Sequence, residues 1–211
     1  MENVLLYVDN LTFGYEDDPV IHNLSLQLRE GEILHIEGKN GVGKTTLLKC
    51  IANIINGGKA VFIKGEELYI NKNLARELSF VMSDDYLYDY MTMEENIVFF
   101  YNLFGRNKAF VTNVEHFIDL FGISEYKKKL VKNLSQGTRN KLYIAIMFSK
   151  EHSVLLLDEP FTALDKKTQE VILDYVGSYK NMQGKAVIMV THIQQFKEIA
   201  TRVFPMGGAD N

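Results

Sequence analysis

The nine residues Gly38 to Thr46, GKNGVGKTT, limit what this chain can fold into more than any other stretch. The apolar run ILHIEG before them has strand character, and TTLLKCIANII after them places Leu47, Leu48, Ile51, Ile54 and Ile55 on one helical stripe. A strand, a glycine-rich loop and a helix in succession match the pattern G-x-x-x-x-G-K-[ST] from Gly38 to Thr45. Such a loop lets successive backbone N–H groups point inward as an anion nest, and the start of the helix adds its positive end. Asn40, Gly41, Val42 and Gly43 form the nest, Lys44 is long enough to reach β- and γ-phosphates, Thr45 offers a hydroxyl to Mg2+, and Thr46 closes the loop. The pattern implies a bound nucleoside triphosphate.

The rest of the chain fits an α/β frame around that loop. In NLSLQLREGE, Leu24, Leu26 and Leu28 alternate with polar residues, and together with VLLYVDNLTF they predict an antiparallel N-terminal sheet. Strand VLLLD, helix KKTQEVILDYVGSYK, strand AVIMV and helix IQQFKEIA then alternate as a parallel sheet requires. Between these halves, residues from about 84 to 150 read as mostly helical, with EENIVFFYNLFG and NVEHFIDLFG each closed by a glycine. The expected fold is α/β: a P-loop NTPase core with a mostly parallel sheet, an N-terminal antiparallel β subdomain and an inserted helical subdomain, all in one domain over 1–211.

Other features narrow the class. A net charge of −4 gives no electrostatic footprint for nucleic acid, so none is expected as a partner. The longest apolar runs fall well short of the roughly 18 residues that a membrane helix needs. The N-terminus MENVLLYVDNL carries an acidic residue at once and no cationic segment, so no secretory signal is expected. Cys50 is the only cysteine, which excludes an internal disulfide, fits a reducing cytosol, and reads as a small buried hydrophobe.

A phosphate loop alone is compatible with kinases, GTPases and motors, so the discrimination lies elsewhere. VLLLDEP places Asp158 and Glu159 side by side at the carboxyl end of a buried strand, the edge where open α/β sheets put ligands. Two adjacent carboxylates can divide the work, Asp158 holding Mg2+ directly or through water and Glu159 accepting a proton from the water that attacks the γ-phosphate.

With LSQGT, Leu134 to Thr138, ahead of VLLLDEPFTALD, the chain resembles the nucleotide-binding subunits of ABC transporters. LSQGT is similar to that family's signature turn, usually LSGGQ, which binds ATP held by the opposite subunit. The resemblance implies that Ser135 and the Gly137 backbone act there, that Tyr15 stacks on adenine, that Asp165 of TALD lies where a loop crosses the dimer interface, and that His192 of VTH contacts the γ-phosphate. It further implies a second copy or a homologous ATPase subunit as partner, separate transmembrane permease subunits, and a peripheral position at the inner face of the cell membrane. The other histidines, His22, His35, His116 and His152, read as ordinary strand, helix or surface residues.

Departures from the family pattern matter too. Ser83, in FVMSDD, stands where the family has a glutamine near Mg2+, and it is too short for the same direct contact without a bridging water or help from Asp84 or Asp85. Gln136 replaces a signature glycine and would be strained at positive φ. The aromatic run YLYDYMTMEENIVFFYNLFG reads as subdomain core, with Tyr86, Tyr88 or Tyr90 available to a groove that receives permease helices in the family. Lys127 to Lys129 read as a solvated face. The expected function is an ATPase subunit that powers a separate permease through ATP-dependent dimer closure. An exporter is expected, because the sequence stops soon after its last strand. The alternatives are an ABC-type clamp in repair or translation, and a soluble P-loop kinase.

Overall fold

The structure is a computed structural model that describes residues 3–15, 18–161 and 163–207. Its first elements are β1 (Val4–Tyr15), β2 (Asp18–Arg29), β3 (Ile33–Glu37), α1 (Lys44–Ile51), β4 (Val61–Ile63), β5 (Glu66–Glu67) and β6 (Leu78–Val81). They are followed by α2 (Met93–Leu103), α3 (Lys108–Leu120), α4 (Gln136–Ser149), β7 (Val154–Asp158), α5 (Lys166–Ser178), β8 (Ala186–Val190), α6 (Gln194–Glu198) and β9 (Arg202–Pro205). Contacts group the chain into two compact units, one from Met1–Phe80, His152–Asp158 and Val176–Asn211, the other from Val81–Glu151 and Glu159–Tyr175.

The first unit carries both sheets. Alternation in the N-terminal third produces the antiparallel pair β1–β2, in which Leu6 faces Leu28 and Val8 faces Leu26, all four buried. β4 pairs antiparallel with the other edge of β1 and β5 extends the sheet, giving the order β2-β1-β4-β5. The second sheet has the order β6-β7-β8-β3-β9, with β7 and β8, β8 and β3, and β3 and β9 parallel. Its central strands read ILHIE, VLLLD and AVIMV, the near-continuous apolar runs of strands covered on both faces, and every residue of β7 and β8 is buried. Because these neighbours are parallel, Gly38, Glu159 and Thr191 all follow carboxyl ends at the same edge.

Three expectations need correction here. The helix after the glycine loop ends at Ile51, not at Ile55: Asn53 adopts φ +56°, which breaks the helix, and Ile54 is 51% exposed, so the buried stripe is Leu47, Leu48 and Ile51. The helix read in IQQFKEIA is only the five residues of α6, because the chain must return to the sheet. It returns as β9, an edge strand that the sequence analysis did not single out, since RVFP is too short and too exposed to alternate.

The second unit is helical. A capping box starts α2, with Thr92 accepting from Glu95 N and the Glu95 side chain accepting from Thr92 N. Gly105 and Gly122, at φ +88° and +66°, follow α2 and α3 as the sequence led one to expect. Phe117, Phe148 and Tyr175 form an aromatic cluster, with ring centroids 5.0 Å apart for Phe117–Tyr175 and 4.7 Å for Phe148–Tyr175. No helix of the described residues is long and apolar enough to cross a membrane.

Candidate functional site

In the first unit the loop from Gly38 to Gly43 leaves β3 and turns into α1. Its two closing glycines are dictated by space and dihedral angle. A Cβ on Gly38 would lie 2.5 Å from the Met206 carbonyl oxygen and 2.9 Å from Val42 Cγ1. Gly43 is the residue before the helix and adopts φ +99°, a left-handed conformation that side chains other than hydrogen resist. Between them Asn40 and Gly41 are exposed and Val42 is half-buried.

No side chain caps the start of α1, and its first turn holds no acidic residue. The opening N–H groups thus keep the positive end of the helix for an anion. Lys44 is 9% exposed, and its ammonium donates to the carbonyls of Gly38 (2.7 Å) and Lys39 (3.0 Å), so the cation lies over its own loop. Thr45 is exposed, and Thr46 is buried at the root of the helix.

Asp158, at the end of β7, is 4% exposed. Burial pushes its carboxyl above the usual carboxylate range, while a hydrogen bond from Thr45 and the charges of Lys49 and Lys44 pull the other way. Lys44, Thr45 and Asp158 are therefore brought together within one unit. A hydroxyl on a carboxylate is an oxygen-only donor set, the chemistry that suits Mg2+; no group of three or more His, Cys, Asp and Glu among the described residues forms a cage by itself.

Glu159, one residue beyond Asp158, takes φ +50°, in the left-handed region that non-glycine residues avoid. His192 is exposed directly after the buried Thr191, whose carbonyl accepts from His35 Nε2 at 3.3 Å. A carbonyl only accepts, so His35 carries its proton on Nε2, and burial lowers its pKa. Two of the histidines read as ordinary residues are thus buried: His35, and His152, whose Nε2 lies 2.6 Å from the Tyr179 hydroxyl. Tyr15, at the end of β1, is 53% exposed and meets Phe13 edge-on at 5.2 Å, which leaves it an accessible aromatic face.

The second unit holds the remaining predicted residues. Ser83 is exposed two residues beyond the end of β6. Ser135 is the N-cap of α4, its hydroxyl accepting from Thr138 N at 3.2 Å. Gln136 is the first residue of that helix and is not among the positive-φ residues, so the strain expected there does not arise, and its side chain bonds Asn140 one turn on. A Cβ on Gly137 would lie 3.2 Å from the Ala163 carbonyl, which keeps the turn close to the loop after Glu159. Asp165 caps α5, accepting from Thr168 N at 2.9 Å, and pairs with Lys141 of α4. These contacts, Lys141 first and the Thr168 amide next, hold its pKa down at about 2.

Two residues escaped the sequence analysis. Arg139 and Lys141 follow the signature turn and bond acidic residues elsewhere in the unit, Arg139 to Asp85 and Asp89 and Lys141 to Asp165. The available signal was the acidic run MSDDYLYD, in which Asp84 and Asp85 were read only as possible help for Ser83.

Comparison with known proteins bears on the family and the fold. Residues 21–162 match the family described as ABC transporter. The chain is 31% identical over 198 residues to the Fe(3+) ions import ATP-binding protein FbpC 2 of Haemophilus influenzae, covering 91% of this chain and 56% of that protein. It is 31% identical over 189 residues to the energy-coupling factor transporter ATP-binding protein EcfA1 of Thermotoga maritima, covering 88% and 71%. The chain thus spans little more than half the length of FbpC 2. A solved structure described as an ATP binding subunit of an ABC transporter superimposes with a TM-score of 0.87 at 21% identity, covering 96% of this chain and 85% of that one, and shares the fold. The expectation of an exporter finds no support: FbpC 2 carries an import name, as do relatives named for taurine import in Jannaschia sp. and for spermidine/putrescine import in Spiroplasma citri. The extent of the match over 21–162, together with these relatives, establishes that the chain belongs to the ABC transporter family.

Proposed function

We propose that the chain is the ATP-binding and ATP-hydrolysing subunit of a transporter, working as a pair of copies, or with a homologous subunit, on separate membrane-spanning permease subunits. It would lie at the inner face of the cell membrane through those subunits. The observation that carries this reading is the uncapped start of α1 beside Lys44, with the Thr45 hydroxyl on buried Asp158. That arrangement offers backbone donors, one cation held over the loop and an oxygen pair, the needs of a triphosphate with its metal.

Each residue has a role in this reading. The amides from Asn40 to Thr46 cradle the phosphates, and Lys44 exchanges its bonds to Gly38 and Lys39 for phosphate oxygens at no new burial cost. Tyr15 offers its ring to adenine. Thr45 and Asp158 would hold Mg2+, which would neutralise phosphate charge, and Ser83 would assist through a bridging water. Glu159 takes the proton from the attacking water, with His192 placed to contact the γ-phosphate. Ser135 and the Gly137 N–H meet the phosphate held by the other copy, and Asp165 lines that contact. Tyr86, Tyr88 and Tyr90, all exposed, face the permease. The import names of the relatives favour uptake over export.

The test is the solution mass of purified Glu159→Gln protein, by light scattering after gel filtration, with and without Mg-ATP. A monomer that becomes a dimer only with nucleotide, and stays monomeric on a further Ser135→Arg change, is the expected result. A Glu159→Gln protein with unchanged ATP turnover would sink the assignment of the base.

A further inference from the structure

Within the second unit the helix that starts at Ser135 is held from two sides by charge. Arg139, four residues after Ser135, grips Asp85 with two bonds, Nε to Oδ2 at 3.1 Å and Nη2 to Oδ1 at 2.8 Å, and also bonds Asp89 through Nη1. The side chains of Arg139 and Asp85 are only 19% and 7% exposed, so this fork is largely shielded from water. Lys141, two residues on and so roughly 200° around the helix, pairs with Asp165 in the loop between Glu159 and α5.

The loop that Arg139 grips is the one carrying Tyr86, Tyr88 and Tyr90, which are 57%, 46% and 81% exposed. It is fixed independently of those rings. Asn96, fully buried, accepts from Tyr88 N at 2.8 Å and donates to the carbonyls of Tyr88 (3.1 Å) and Thr92 (3.0 Å). The stretch leading into Ser135 bonds to the same loop, Lys132 N to Asp89 O at 3.1 Å and Val131 N to Met91 O at 2.9 Å. The tyrosine loop, the lead-in and the first turn of α4 are thus one hydrogen-bonded body, in which Arg139 supplies the side-chain link to the helix itself.

We propose that Arg139 is a positioning residue: through Asp85 and Asp89 it locks the Ser135 turn to the tyrosine loop. A displacement of that loop by a membrane partner is then delivered to the Ser135 turn and, through Lys141 and Asp165, to the loop that follows Glu159. Lysine cannot replace it, because a point charge does not reproduce the two-bond fork to Asp85. This inference rests on the function proposed above, in which Ser135 meets nucleotide held by a second copy.

The test uses the full chain with Glu159→Gln, measuring ATP affinity by calorimetry and the protein concentration for half-dimerisation in Mg-ATP by light scattering. Arg139→Ala and Asp85→Asn are each expected to leave ATP affinity within about twofold and to raise the half-dimerisation concentration by roughly tenfold or more, the loss of one such charged link. Arg139→Lys is expected to recover only part of it. The double variant Arg139→Ala/Asp85→Asn is expected to be no worse than the worse single change, because both remove one interaction. A purely structural role would lower the melting temperature with no nucleotide-dependent defect in dimerisation. Should Arg139→Ala fail to fold, Asp85→Asn and Arg139→Lys carry the comparison. Dimerisation of Arg139→Ala at the parent's concentration, or fully additive single effects, would overturn the inference and leave the proposed function standing. A parent that never dimerises with ATP would remove both.

Discussion

Two helix starts, one in each unit, are built on opposite plans. α1 begins at Gly43 with no capping side chain, a buried lysine folded over its loop, and Asp158 within reach of Thr45. α4 begins at Ser135, is capped by that serine's own hydroxyl, and has its cations turned away to Asp85, Asp89 and Asp165. The first start has an open set of backbone donors, a lysine and an oxygen pair within its own unit. The second has its charges committed internally, its serine hydroxyl accepts from Thr138 N, and its first turn holds no acidic residue. In the proposed function a site made by joining one of each, from two copies, would use both.

The sharpest way to break this contrast is at Glu159. Glu159→Gln is expected to cut ATP turnover by roughly 10²–10⁴, the usual contribution of a general base, with ATP affinity unchanged by calorimetry. Equal losses in affinity and turnover would make Glu159 part of the cradle instead. Lys44→Ala comes next: losing charge-assisted bonds worth about 1.5–3 kcal/mol predicts roughly ten- to a hundredfold weaker ATP binding to the isolated chain. The matching Ser135→Ala change should leave that monomer affinity alone. Gly38→Ala forces a methyl against the Met206 carbonyl and is expected to destabilise the fold by about 1–3 kcal/mol in urea titration. Ser135→Ala should cost about 1 kcal/mol of stability, the value of an N-cap, in the same titration.

The smallest expected effect concerns pH. Asp165 has its folded pKa lowered to about 2, below an unfolded value of about 3.9. Its contribution is therefore present above pH of about 4 and is lost as pH falls toward 2. Asp165→Asn should flatten that part of the stability profile, and an unchanged acid limb would show that Lys141 does not hold the loop.

Legibility followed the same division. The cradle could be read because its parts are adjacent in sequence: the glycines, Lys44 and Thr45 obey one steric rule, and Asp158 ends an apolar strand. Ser135 was legible only by resemblance, since a serine that caps a helix has an ordinary local use. Arg139 was not legible at all, because its partner Asp85 is far off in sequence and an arginine after a polar turn reads as solvated surface. The end of α1 was misjudged because Ile54 and Ile55 keep the helical spacing, while Asn53 turns the backbone out of it. β9 was missed because an exposed edge strand of four residues carries no alternation to find.

The left-handed backbone of Glu159 has a consequence for how such a chain can change. Glycine would sit there more comfortably than glutamate by about 1 kcal/mol, so under the proposed role of Glu159 a mutation toward a more robust protein would lead directly to an inert one. On that proposal, a carboxylate at this corner would be a cost sustained only while turnover is selected. A copy that has been relieved of hydrolysis, for instance beside an active homologous subunit, should be recognisable by the residue it has let slip at this one position.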